Sequence, residues 1–161
     1  PVIFLENEIL YAQNGDVPTD PDLLVPLGVG RIAKKGKDVS IFTFSIMVEK
    51  ALKASEILAS EGIDAEIIDL RTLRPLDTNI IIQSIKKTNR AVIAEEGWKF
   101  SGIGAEISSI LVEHGFDYLD APISRVSAAD VPLPYAANLE ELALPQVKQI
   151  VDAAKSVCYR D

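Results

Sequence analysis

The segment EEGWKFSGIGAEI, residues 95–107, places Gly102 and Gly104 where an apolar run hands over to a helical pattern. Glycines at a strand-to-helix turn let backbone N–H groups approach an anion, and a helix N-terminus favours negative charge. A phosphate cradle, however, calls for a third glycine at the dinucleotide spacing or a following Lys-Ser/Thr pair, and neither is present. Glu95 and Glu96, just upstream, would repel a phosphate. The pattern therefore favours a packing role, in which the glycines let helix and strand approach closely and Ser101 acts as N-cap.

Other candidates divide in the same way. RTLRPLD carries Arg71 and Arg74 beside Asp69 and Asp77. Guanidinium forks capture carboxylate or phosphate; the competing reading is an ion-paired loop in which Pro75 and Asp77 stop a strand and start a helix. His114 falls in the last turn of a helical pattern, where the helix dipole favours a cation and Gly115 offers a stop. A general base needs a positioned partner, and none is near His114 in the sequence. Cys158 stands among apolar neighbours, where burial is the default. No Ser-His-Asp pattern, P-loop, metal cluster, basic aromatic stripe or distinctive pair of carboxylates emerges, so residue chemistry reads as non-catalytic.

The elements that would position these residues alternate regularly. VGRIA, VSIFTF, AEIIDL, AVIAEE and ISRVSA are apolar, β-rich runs. Helical patterns follow in SIMVEKALKASEILASEG, TNIIIQSIKKTN, SGIGAEISSILVEHG and PQVKQIVDAAKSVCY. Met47, Ala51, Ala54 and Leu58 recur at helical spacing, with Gly62 as a C-terminal stop. Asp77 or Thr78 caps the second helix, and Pro145 opens the last. Strand followed by helix, repeated about four times, predicts an α/β fold of three layers: a mostly parallel sheet flanked by helices. Ligands in such folds gather at the carboxyl ends of the strands. There the loops around Ser45, RTLRPLD, EEGWKFSGIG and AADVPLPY converge.

The chain opens at Pro1 directly in VIFL, which reads as a buried strand whose sheet partners belong to an upstream domain. YAQNGDVPTDPD, rich in Asn, Gly, Asp and Pro, reads as a linker. We expect residues 1–22 to be the end of one domain plus linker, and residues 23–161 to be the main domain.

Composition bounds the function. The 161 residues are 48% hydrophobic and 25% charged, as in ordinary globular proteins. No apolar run approaches the roughly 20 residues a membrane helix needs. Sixteen basic against 24 acidic residues give a net charge of −8, which disfavours nucleic acid and anionic lipid and suits a basic partner. A single cysteine excludes an intramolecular disulfide and points to a reducing compartment, and one Cys with one His disfavours a dedicated zinc site.

VIFLENEILY, DLRTLRPLD, AEEGWKFSGIGAEI, LDAPISRVSAADVPLPYA and ALPQVKQIV follow one another in a single order. Together they resemble the β subunit of the pyruvate dehydrogenase decarboxylating component, from the end of its pyrimidine-binding domain through its C-terminal, transketolase-like domain. RTLRPLD marks the broader transketolase C-terminal class, and SAADVPLPYA with ALPQVKQIV is sharper.

The resemblance implies a heterotetramer of two α and two β chains. It would use thiamin diphosphate and magnesium to decarboxylate pyruvate and acetylate lipoyl groups. Diphosphate and magnesium would be held by the α subunit, and the activating carboxylate by the β subunit's N-terminal domain. This chain would then carry no catalytic, cofactor-binding or metal residue and would be inactive alone.

Its implied role is assembly: contact with the α subunit and a second β subunit, and docking of the basic subunit-binding domain of dihydrolipoamide acetyltransferase. The matched acceptors are Asp120, of LDAP, and the terminal carboxylate on Asp161. Asp120 also reads simply as a turn residue before Pro122, and Asp161 as a solvated end. Bacterial cytoplasm or mitochondrial matrix fits the resemblance. The alternatives are a branched-chain 2-oxo acid or acetoin dehydrogenase subunit, or a free-standing anion-binding domain using Gly102, Gly104, Arg71 and Arg74. An isolated chain of this kind is expected to expose apolar surface at VIFL and beside the linker.

Overall fold

The structure, a computed structural model, describes residues 3–160. Five strands form one sheet: β1 (Arg31–Lys34), β2 (Val39–Thr43), β3 (Ala65–Asp69), β4 (Ala91–Trp98) and β5 (Ser124–Ala128), in the order β1-β3-β2-β4-β5. β1 runs antiparallel to β3, and the remaining pairs are parallel. The expected three-layer, mostly parallel architecture is therefore present, with its one antiparallel strand at an edge.

Strand alternation sorts side chains between two helical layers. Val39, Ile41, Ala65, Ile67, Val92 and Ala94 meet α1 (Met47–Ser60) and α5 (Val147–Val157) through Ala51, Leu58, Ile150 and Ala154. On the other face, Phe42, Ile68, Ala91 and Ile93 meet α2 (Thr78–Thr88) and α3 (Ile103–Gly115) through Ile81, Ile85, Ile107 and Leu111. Burying each of the Val, Ile, Leu and Phe side chains among them stabilises by about 1.5–3 kcal/mol.

Helix ends follow local chemistry. Asp77 caps α2 by accepting from the Ile80 amide, and Asn89 ends that helix in the left-handed conformation. Gly62, at φ 80°, closes the turn after α1. Gln146 and Gln149 cap α5 reciprocally, just after Pro145.

Residues 3–5 of VIFL are exposed, Phe4 at 78%, and pair with no described strand; Val2 lies outside the described residues. Two expectations are corrected. Ser101 does not cap α3. It takes φ 55°, and Gly102 occupies the cap position without a side-chain bond. The α-helical part of α3 ends at Gly115, but not by a left-handed stop: Gly115 has φ −130°, and the chain continues into a short 3-10 turn, Phe116–Tyr118. Gly115 is instead a close-packing residue, since a Cβ there would lie 3.2 Å from Ile85 Cγ2. A further short helix, α4 (Ala137–Ala143), occupies a stretch that showed no strong period in the sequence.

Candidate functional site

At the carboxyl edge of the sheet, the glycine turn is filled from within. Glu95, 2% exposed near the end of β4, points towards the start of α3. Its Oε1 accepts from the Gly104 amide at 3.2 Å and from Arg125 Nη2 at 2.9 Å. Arg125 Nη2, from β5, also donates to the Lys99 carbonyl at 2.7 Å. A Cβ on Gly102 would lie 2.5 Å from Glu95 Oε2, and one on Gly104 would overlap Glu95 Oε1. The two glycines thus make room for an internal carboxylate at a helix N-terminus. The amide and positive dipole that would hold a phosphate are already satisfied. This turn does not fit a diphosphate.

RTLRPLD is not the internally paired loop the sequence suggested. Asp69 pairs with Arg31 at 3.0 Å and accepts from the Arg71 amide, while Asp77 accepts from the amides of Gly30 and Ile80. Arg71 and Arg74 are exposed, and neither forms an ion pair with another described residue. His114 lies at the exposed end of α3, and among the described residues its ion-pair partner is Glu113, at 3.9 Å. Neither arrangement assembles an acid–base pair.

Sequence reasoning missed a buried polar seam between the sheet and α2. Glu66, 1% exposed, accepts from Ser84 at 2.7 Å and pairs with Lys87; Ser40 bonds both Ser84 and Thr88 at 2.6 Å. The signal was a lone glutamate inside the apolar run AEIIDL. These groups saturate one another, as buried polar groups must, and so serve packing.

At the opposite, amino edge stands Asp120, before β5. Its amide donates to the Asn89 carbonyl at 2.8 Å, and its carbonyl accepts from Tyr159 Oη at 3.0 Å, so its backbone is held from two elements. The side chain is 58% exposed, and Oδ2 is 3.8 Å from Arg90 Nη2. Such a long, solvated pair contributes about 0–1 kcal/mol. Beside the carboxylate lies a shallow apolar hollow of about 380 Å³ lined by Val112, Phe116, Leu119, Ala121, Pro122 and Ile123. Asp161 lies outside the described residues.

A profile of the transketolase C-terminal domain family matches residues 28–150. The chain belongs to that family. This transketolase C-terminal domain is 57% identical over 159 residues to the pyruvate dehydrogenase E1 component subunit beta of Rickettsia felis, covering 99% of the chain and 48% of that relative. It is 53% identical over 164 residues to the mitochondrial counterpart of Dictyostelium discoideum, covering 100% of the chain and 46% of the relative. The resemblance read from the motifs is borne out. The chain spans about half the length of these curated relatives, which come from bacteria and mitochondria alike.

Among solved structures, a split-gene transketolase described as an inactive beta4 tetramer superposes with a TM-score of 0.76 at 30% identity, over 87% of this chain and 45% of that one. The transketolase C-terminal fold thus rests on sequence and architecture together.

Proposed function

We propose that this chain is the C-terminal part of the β subunit of a thiamin diphosphate-dependent pyruvate dehydrogenase and that it serves assembly and docking. Residues 1–22 would be the end of the pyrimidine-binding domain plus linker, and residues 23–161 the transketolase-like domain. The exposed, irregular backbone of residues 13–30 supports that division. The full enzyme, two α and two β chains in cytoplasm or matrix, would decarboxylate pyruvate and acetylate lipoyl groups. Thiamin diphosphate supplies an electron sink for decarboxylation, and it would be held with magnesium outside this domain. The saturated Glu95 turn favours this reading over a free-standing anion-binding domain at the same glycines.

Asp120 carries the docking role. Its backbone is rigidly held, its carboxylate faces solvent beside an apolar hollow, and its internal partner is distant. An incoming Arg or Lys can pair with it while laying its aliphatic stem over the hollow. The surrounding charge of −8 would speed association with a basic subunit-binding domain. The exposed Trp98, Phe100, Leu133 and Tyr135 at the carboxyl edge suit contacts with the α chain and a second β chain.

Calorimetric titration with the acetyltransferase subunit-binding domain, at low and high salt, tests the docking role. Binding is expected to weaken with salt and to lose about 2–5 kcal/mol in Asp120→Ala, with the fold unchanged. Full-strength binding by that variant, or no binding by a chain shown to be dimeric in sedimentation, would remove the docking role.

A further inference from the structure

The amino edge of the sheet holds a second cleft, of about 620 Å³, away from the glycine turn and adjoining the Asp120 site through Arg90. Its walls come from the loop before β2 (Lys37, Asp38), the loop before β3 (Asp64), the start of β4 (Arg90) and the chain after α5 (Cys158, Arg160). Three cations on one concavity stand out in a chain of net charge −8.

Two carboxylates share the cleft, and neither forms an ion pair with those cations: Asp38 Oδ2 accepts from the Asp64 amide at 2.8 Å, and Asp64 faces Lys34 at 3.6 Å. Lys37 and Arg160 are exposed and form no ion pair with any described residue. Arg90 is held yet poorly served. Nη1 is 3.5 Å from the Asp38 carbonyl, Nη2 is 3.8 Å from Asp120, and Nε is out of solvent contact with no acceptor at all. A buried donor without a partner is costly, and a guanidinium fork with only long contacts lacks its oxyanion. Cys158 adds no charge near neutral pH, because burial raises its thiol above the ordinary value.

We propose that this cleft binds a small phosphate-bearing molecule, with Arg90 as its fork and Lys37 and Arg160 as flanking cations. The volume lies within the roughly 300–1,000 Å³ of small-molecule sites, larger than a bare phosphate requires. The shared chemistry of the ligand is a phosphoryl dianion, whether free or as an ester.

The test is calorimetric titration of this chain with inorganic phosphate, then with glycerol phosphate, at ionic strength held constant with chloride. Saturable one-to-one binding is expected for both, with the ester the tighter if an organic phosphate is the ligand. Lys37→Gln/Arg160→Gln, which alters only exposed charges, should weaken binding by about tenfold or more. Arg90→Lys should weaken it likewise, since an ammonium cannot replace the fork. Lys148→Gln, an exposed cation elsewhere, should leave it unchanged. Heat signals that never saturate, or binding unaltered in the double variant, would overturn the site. Equal loss in Lys148→Gln would do the same, by reducing the effect to general charge.

Discussion

Glu95 shows how one side chain can decide between two readings of the same motif. A glycine turn at a helix N-terminus attracts an anion, and here the anion is the protein's own carboxylate, bridged to Arg125. Glu95→Ala is expected to lower stability by about 3–5 kcal/mol, because it strands the Arg125 guanidinium, whose Nε already lacks an acceptor. Gly104→Ala is expected to cost about 1–3 kcal/mol by overpacking, since its Cβ would also lie 2.8 Å from Arg125 Nε. Urea denaturation measures both, and a neutral Gly104→Ala would show that the turn has slack. Cys158 yields a pH prediction. Its thiol is raised by burial, so the folded state holds the proton more tightly than the unfolded state does. The stability this contributes is present below the unfolded thiol value and lost as pH rises through the higher folded one. Labelling with a thiol reagent across that range should lag behind free cysteine and catch up once the chain is unfolded.

At the scale of elements, Asn89 links a helix end to the docking candidate. It ends α2 at φ 61°, its side chain donates to the Tyr118 carbonyl at 2.8 Å, and its carbonyl receives the Asp120 amide. Asn89→Ala should cost about 1–2 kcal/mol from the left-handed backbone, before the lost side-chain bond is counted. Asn89→Gly relieves the backbone and loses only that bond, about 0.5–1.5 kcal/mol. Thermal melts of the two variants separate the contributions, and equal losses would show that conformation is not the larger part. The loop RTLRPLD makes a related point: Asp69, just before it, is taken by Arg31, and one oxygen of Asp77 by the Gly30 amide, which local spacing could not reveal.

For the molecule as a whole, two groups stand out among the exposed apolar residues. One runs along the N-terminal segment through Ile3, Phe4, Leu5, Leu24 and Val25, and the other crowns the carboxyl edge around Trp98, Phe100 and Tyr135. Apolar surface of this extent marks partner sites. The chain alone is expected to bind a polarity-sensitive dye and to self-associate in sedimentation, with Phe100→Ser/Tyr135→Ser shifting it towards monomer. A monomer that leaves the dye dark would count against the assembly role. The amino edge adds charge to its apolar hollow, with Asp120 and the cationic cleft joined through Arg90.

Periodicity was enough for the fold class, because a parallel sheet between helices needs only apolar runs at alternating periods, and VSIFTF, AEIIDL and AVIAEE supply them without competing signals. Helix boundaries at Asp77 and Gly62 were legible too, since capping and left-handed stops are local chemistry. The misreadings arose where a residue answers to something distant in sequence. Gly115 packs against Ile85 of another helix, and Ser101 loses the cap where Glu95 takes the Gly104 amide. Asp120 could be named from its motif, yet its hollow exists only because α3, the 3-10 turn and the approach to β5 pack around it. The cationic cleft was wholly invisible, since Lys37, Arg90 and Arg160 meet only when three strand starts and the end of the last helix are brought to one edge of the sheet.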